Sequence, residues 1–275
     1  MTRRQLKPSK NSNDDLMKIK MKPYTLLYPE RWKDLRYRSP RNIKIVKGKG
    51  LELSKYPQIR QKIDKEWVRR KKGNQRIFSS TLCRLSGYSI KNDSLVLELG
   101  ETNYKELVGT NYLSASLGKK EENPYKYFSM ALSVSAVVET KDDYVLITRR
   151  SEKVESCKNT FHTIAGQVEP EKLIQKSMAS ELRNEAGLEE NEYKLCFAGL
   201  IMNNCNLKPE LIFVAKSKAN LIDILLRKKI EAFEAELMFG IKKKELKRFL
   251  NSFPKKDFCP PGLAAWQIYS QIEKI

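Results

Sequence analysis

At 275 residues with 40% hydrophobic content, the chain is long enough for one large domain, or one domain with a substantial extension. Its formal net charge of +20 favours acidic partners, meaning nucleic acid, nucleotides or anionic lipid head groups, without choosing among them. Five scattered cysteines (Cys83, Cys157, Cys196, Cys205, Cys259) with no C-x-x-C pair, beside a single histidine, exclude a zinc constellation and fit a reducing, intracellular compartment, with the cytoplasm expected. The longest apolar run, near Met130 to Val138, is too short to span a bilayer, so no membrane partner is expected.

Most of the excess charge precedes residue 76, in runs such as Arg36-Tyr37-Arg38, Lys44 to Lys49 and Arg69-Arg70-Lys71-Lys72. Such a stretch reads either as a solvated basic extension or as an arm that binds nucleic acid through its phosphates. Arg3-Arg4 is soon followed by Asp14-Asp15 with no apolar run between, unlike a secretory signal. Residues 1 to about 30 are polar and patternless, and flexibility is expected there.

In chain order, Ile59, Ile63 and Trp67 recur at four-residue steps and predict a short helix ending at Lys72-Gly73-Asn74. Ile77 to Tyr88 is mixed, and Ser94 to Leu99 after Lys91-Asn92-Asp93 reads as a hairpin arm. Asn103 to Asn111 predicts a short helix and turn, and Lys119 to Asn123 a charged loop. Ala131 to Thr140 and Tyr144 to Arg149 read as a strand pair joined at Lys141-Asp142-Asp143. Further strands are expected at Leu195 to Met202, Glu210 to Lys216 and Glu236 to Ile241. Helices are expected at about Pro170 to Ala186, Ala219 to Lys228, Lys243 to Phe253 and Gly262 to Ile275. Strands interleaved with helices give an α/β or α+β domain.

The informative stretch is Gly166 to Leu188, G-Q-V-E-P-E-K-L-I-Q-K-S-M-A-S-E-L-R-N-E-A-G-L. Met178, Ala179, Leu182 and Ala186 form an apolar stripe on a helix that Gly187 can end. Glu181 and Glu185 are four apart and stack on one face, where two carboxylates make a partial cage for a hard dication. Such pairs are also common on ordinary exposed helices.

The stretch resembles the Nudix box, G-x5-E-x7-R-E-U-x-E-E-x-G-U with U a bulky aliphatic residue. Gly166, Glu181, Leu182, Glu185, Gly187 and Leu188 match at full spacing, whereas Lys172, Ser180 and Asn184 replace a glutamate, the arginine and a second glutamate. Val134 to Thr140 with Val145 to Ser151 resembles the strand pair preceding the box, and Thr163 to Pro170 resembles the loop leading into it. Tyr104 to Asn111 (with G-T-N), Asn204 to Phe213 (with Pro209-Glu210), Glu231 to Ile241, and Cys259 to Ala265 are similar to segments of the divergent uridine diphosphate glucose pyrophosphatases. The resemblance covers about residues 77 to 275.

The resemblance implies a Nudix-type α/β/α sandwich. It divides the chain into a basic extension (1–76), a small β-rich pre-Nudix region (77–125) and a Nudix domain with a C-terminal helix (126–275). It implies Mg²⁺, or Mn²⁺, as cofactor and hydrolysis of a nucleoside diphosphate-linked small molecule, UDP-glucose first. Glu181 and Glu185 would be catalytic and ligate metal, with Asn184 offering an amide oxygen. The base could be Glu185, Glu231, Glu234 or Glu236. Substrate contacts would come from Arg149, Arg150, Gly166, Glu210, Asn111 and Glu234. At most one of Arg149 and Arg150 can face the site, since neighbours on a strand point oppositely. His162, Trp266 and Tyr269 read as packing residues, and Gly109-Thr110-Asn111 equally as a turn. The alternative is a catalytically weakened Nudix domain that binds nucleotides or RNA. A third reading is an active enzyme with ADP-ribose, a dinucleotide or an RNA cap as substrate.

Overall fold

The computed structural model describes residues 23–75, 77–113, 126–154, 156–172, 174–227 and 235–275. The strands are β1 (Tyr24–Tyr28), β2 (Ile43–Lys47), β3 (Thr81–Lys91), β4 (Ser94–Asn103), β5 (Ser133–Glu139), β6 (Tyr144–Arg150), β7 (Phe161–His162), β8 (Ile164–Gln167), β9 (Tyr193–Asn203), β10 (Lys208–Ser217) and β11 (Ala235–Lys242). The α-helices are α1 (Pro57–Gly73), α2 (Tyr104–Gly109), α3 (Ile174–Ala186), α4 (Leu221–Leu225), α5 (Leu246–Ser252) and α6 (Pro260–Glu273). Among the described residues no helix is long and apolar enough to cross a membrane.

The larger sheet runs β1-β9-β10-β5-β6-β11, with β7 on β6 and β8 on β5. Its centre is apolar on both faces because helices cover both. Alternate residues of β5 divide between them: Val134, Ala136 and Val138 pack with Ile174, Met178 and Leu182 of α3, and Val137 packs with Leu263, Trp266 and Ile268 of α6. The chain is a mixed α/β fold in which α3 and α6 sandwich the sheet. Fully buried Leu182 contributes roughly 2 kcal/mol through burial alone. The end of α3 is set by Gly187, whose φ of +67° lets Leu188 N–H reach back to Leu182 O at 3.1 Å.

A smaller sheet, β2-β4-β3, leans on this core. Its hairpin turns at Asn92 and Asp93, both with positive φ, as a tight two-residue turn requires. Cys83 N–H donates to Val168 O and Leu132 N–H to Cys83 O, both at 2.8 Å, so β3 is stitched to the start of β5 and the end of β8. Residues 24–73, set apart on charge as an extension, supply β1 to the larger sheet, β2 to the smaller one, and α1, whose Ile59 and Ile63 pack with Tyr127, Phe128 and Met130. Tyr37 hydroxyl, Lys216 and Lys243 all bond to Glu273 near the end of α6. Burial would raise the Glu273 carboxyl, but these three partners outweigh it and bring its pKa down to about 2.

Two expectations need correction. The expected pair of strands, β5 and β6, shares one residue pair, Glu139 with Val145, because β8 and β7 occupy their facing edges beyond it. The helix expected over Ala219 to Lys228 is the single short turn α4, since strand β10 runs on to Ser217. Beyond the seam, β6, β7 and β11 are held to α5 and α6 by an aromatic cluster in which Phe161 lies 5.1–6.2 Å from Phe239, Phe249, Phe253 and Phe258.

Candidate active site

The parting of β5 from β6 creates the site. Residues 161–167 bridge the gap, and a cavity of about 420 Å³ opens beside them. Two walls of different chemistry meet there.

The first wall comes from α3 and β8. Glu181 and Gly166 both line the cavity. A Cβ built on Gly166 would run into the Glu181 carboxyl, so glycine is what lets the two elements close on each other. Glu185, one turn later, is 8% exposed, and its Oε1 accepts from Ala165 N–H at 3.4 Å. It is turned towards the β8 backbone behind the cavity surface. Asn184 is half-buried and outside the cavity lining. Lys172 forms an exposed ion pair with Glu169 at 3.0 Å, and Glu169 reaches the cavity.

The second wall is assembled from β6, β7 and β10. Glu210 is 3% exposed, lines the cavity, and accepts from Ser135 Oγ across the parallel pairing of β10 with β5. Burial pushes its pKa up to about 7, against the opposing pull of Lys208 and Arg150. His162 is buried and lines the same cavity. Burial, then the nearby Arg150 and Lys208 charges, hold the imidazole well below its usual pKa. Its Nδ1 accepts from Thr163 N–H at 2.8 Å, which places the proton of the neutral ring on Nε2. Arg150 lines the cavity and donates from Nε to Ser156 O at 3.2 Å. Arg149 is exposed and points away, over the Phe161 ring at 6.0 Å. The strand alternation therefore brings one arginine of the two to the cavity.

Asn111 is fully buried outside the cavity lining. Its amide donates to Asn206 O and Leu207 O at 2.9 and 3.0 Å and its Oδ1 accepts from Met130 N–H, pinning the β9–β10 turn to the small-sheet side. Glu231 and Glu234 lie outside the described residues, whereas Glu236 accepts from Glu152 N–H at 3.3 Å, away from the cavity lining. Trp266 and Tyr269 are core residues. Sequence reasoning missed Lys208, Lys153, Tyr104 and Tyr112 as cavity residues, and Cys157 and Cys259 with them. Lys208 stands two residues before Glu210 and was within reach of that motif; the two cysteines carry no sequence signal.

Among the described residues no three His, Cys, Asp or Glu side chains group so as to hold a metal ion by themselves. Of the Glu181 and Glu185 carboxylates, the one that lines the cavity is that of Glu181, against the Gly166 cradle, with Glu185 one helical turn away behind the surface. That set fits a cation such as Mg²⁺, which is commonly bound by one or two carboxylates together with waters and substrate phosphates. It does not fit a cage made of protein alone.

In sequence the chain is similar to Nudix hydrolases, uridine diphosphate glucose pyrophosphatases among them. It is 23% identical over 238 residues to Nudix hydrolase 9 of Arabidopsis thaliana, covering 72% of this chain and 76% of that protein. It is 22% identical to the uridine diphosphate glucose pyrophosphatase NUDT22 of Homo sapiens, covering 72% and 74%. Among solved structures it is similar to the MutT protein from Methanosarcina mazei Go1, at 16% identity and a TM-score of 0.41 over 53% of this chain and 96% of that one. No protein-family model matches the chain.

Proposed function

We propose that the chain is a magnesium-dependent diphosphatase of a nucleoside diphosphate-linked compound, with UDP-glucose as the first substrate to test. The observation that carries this reading is the Glu181 carboxyl seated on Gly166 in a cavity that also holds Arg150 and Lys208. An acid able to ligate a dication and basic side chains able to bind phosphate thus line one space.

Glu181 and Glu185 would hold the ion, with Asn184 close on the same helix. The chemistry that magnesium, or manganese, supplies in such a site is neutralisation of phosphate charge and activation of water. Arg150 would fork onto diphosphate oxygens, and Lys208 would add a point charge. The half-buried rings of Tyr104 and Tyr112 give the same cavity a flat apolar border suited to a nucleoside. Neutral His162 and the buried Glu210 shape its floor.

The test is phosphate-product release from UDP-glucose with and without Mg²⁺, comparing wild type with Glu185→Gln. Metal-dependent cleavage that the substitution abolishes is expected. Metal-independent cleavage, or full activity in the variant, would overturn the assignment.

A second reading, a weakened domain that binds nucleotide or RNA, is favoured by one observation. Where the box has its first glutamate, Lys172 is engaged with Glu169. The basic segment before residue 76 would then supply phosphate contacts. RNA affinity falling steeply with salt, and losing that dependence when those lysines and arginines are neutralised, is the corresponding result.

A further inference from the structure

Two cysteines in the second wall are not used by the proposed reaction. Cys157 sits in the loop between β6 and β7, in a left-handed backbone conformation (φ +53°) fixed by Thr160 Oγ1 donating to its carbonyl at 2.7 Å. Cys259 immediately precedes α6, is 5% exposed, and is fixed by its N–H donating to Phe161 O at 2.9 Å. The two cysteines are 102 positions apart in sequence, yet the fold brings both to the lining of one cavity, where their side chains interact. Each lies on backbone held independently of the other, so the contact is imposed by the fold.

We propose that Cys157 and Cys259 form a peroxide-sensitive dithiol in the cavity wall, oxidised to a disulfide that ties the β6–β7 loop to the start of α6. The charged and titratable neighbours of Cys157 are Cys259, Arg150, Glu210, Lys208 and Cys205. The interaction with Cys259, and then the Arg150 guanidinium, lower the Cys157 thiol against the effect of burial. Burial, and then the interaction with Cys157, drive Cys259 well up. The roles are therefore unequal: Cys157 supplies the thiolate, and Cys259 keeps its proton until the second step.

The chemistry balances with a hydroperoxide as oxidant. The Cys157 thiolate attacks one peroxide oxygen, the O–O bond breaks, and a sulfenic acid forms with hydroxide as leaving group. The Cys259 sulfur then attacks the Cys157 sulfur, its proton and the sulfenic hydroxyl leaving as water. Two thiols lose two electrons, and the peroxide leaves as two waters. The link would draw the loop carrying Lys153, Val154 and Ser156 onto α6 beside Arg150, narrowing the cavity.

The experiment treats the full chain with hydrogen peroxide and follows intact mass and non-reducing peptide maps. Expected is the loss of two hydrogen masses, reversed by dithiothreitol, with Cys157 and Cys259 in one linked peptide. In Cys259→Ser, Cys157 should instead be trapped by dimedone as the sulfenic acid, and Cys157→Ser should abolish the mass loss. Exposed Cys205 borders a second cleft with Cys157 and is the natural competitor. A Cys157–Cys205 link in wild type overturns the proposal. So does oxidation of Cys157 beyond the sulfenic state while Cys259 stays reduced, or no mass loss under conditions that oxidise the urea-unfolded chain. The mass readout is independent of hydrolytic activity. Thermal melts of both variants separate a missing disulfide from a misfolded protein.

Discussion

The two walls of the cavity are built by opposite means. The α3 wall is local: Gly166, Glu181 and Glu185 lie within twenty residues, one turn of helix separates the acids, and Glu181 borders open space. The wall from β6, β7 and β10 is non-local: Arg150, His162, Lys208, Glu210 and Cys259 come from four segments, and three of them are no more than 5% exposed. In the first, position is set by side-chain spacing and one missing Cβ. In the second, burial sets the protonation state. Charge on the first wall should govern turnover, whereas on the second Arg150 and Lys208 should serve binding and the buried Glu210 should govern the pH dependence of stability.

The sharpest way to break this contrast is Gly166→Ala. The added methyl meets the end of the Glu181 side chain, which can swing aside, so the fold should survive while the carboxyl moves. A displacement of that kind costs activity about 10²-fold, with a melting temperature close to wild type by scanning calorimetry. Equal loss of activity and stability would mean that this wall too is set by packing.

Glu210→Gln tests the other wall. Because the folded carboxyl titrates near 7 and not near 4.5, folding favours its neutral form. The resulting contribution is fully present below pH 4.5 and lost as pH rises through 7, a span worth on the order of 3 kcal/mol. Glutamine stays neutral throughout. The variant should therefore melt several degrees above wild type at pH 8 and close to it at pH 4.5. A constant difference across pH would place the carboxyl's effect outside titration.

The smallest effect on stability is expected for Lys172→Glu combined with Asn184→Glu. An exposed ion pair such as Lys172–Glu169 contributes less than about 1 kcal/mol, so the melting temperature should scarcely move. Turnover should rise if the natural box is a weakened one. Unchanged turnover in Mg²⁺ titrations would show that the missing acids are not what limits the site.

The sequence announces the first wall because its information is periodic. The apolar stripe Met178, Leu182, Ala186 and the stop at Gly187 read directly as α3, and β5, β9 and β10 are apolar enough to be seen as strands. What stayed hidden was short or depended on pairing. β2 buries only Ile43 of its five residues and gives no alternation. β8, Ile-Ala-Gly-Gln, contains weak strand formers and is a strand because Ser133 to Ala136 of β5 pair with it. β1 lies in a basic segment whose charge drew attention away from Tyr24 and Tyr28, both buried against β9 and its neighbours. The contact between Cys157 and Cys259 was beyond reach for a different reason, since two isolated cysteines carry no spacing signal until β7 brings their segments together.

The seam has a mechanical consequence. Since β6 meets β5 at one rung, the β6–β11 ribbon is joined to the rest of the fold through residues 161–167, through Val145, Leu146 and Ile147 in the two core clusters, and through the phenylalanines around Phe161. Ladder hydrogen bonds fix a register and resist sliding, whereas ring-on-ring contacts lose little when they tilt or slip. The cavity thus lies on the line where ladder pairing between β5 and β6 gives way to side-chain packing, with Glu210 presented from the paired side.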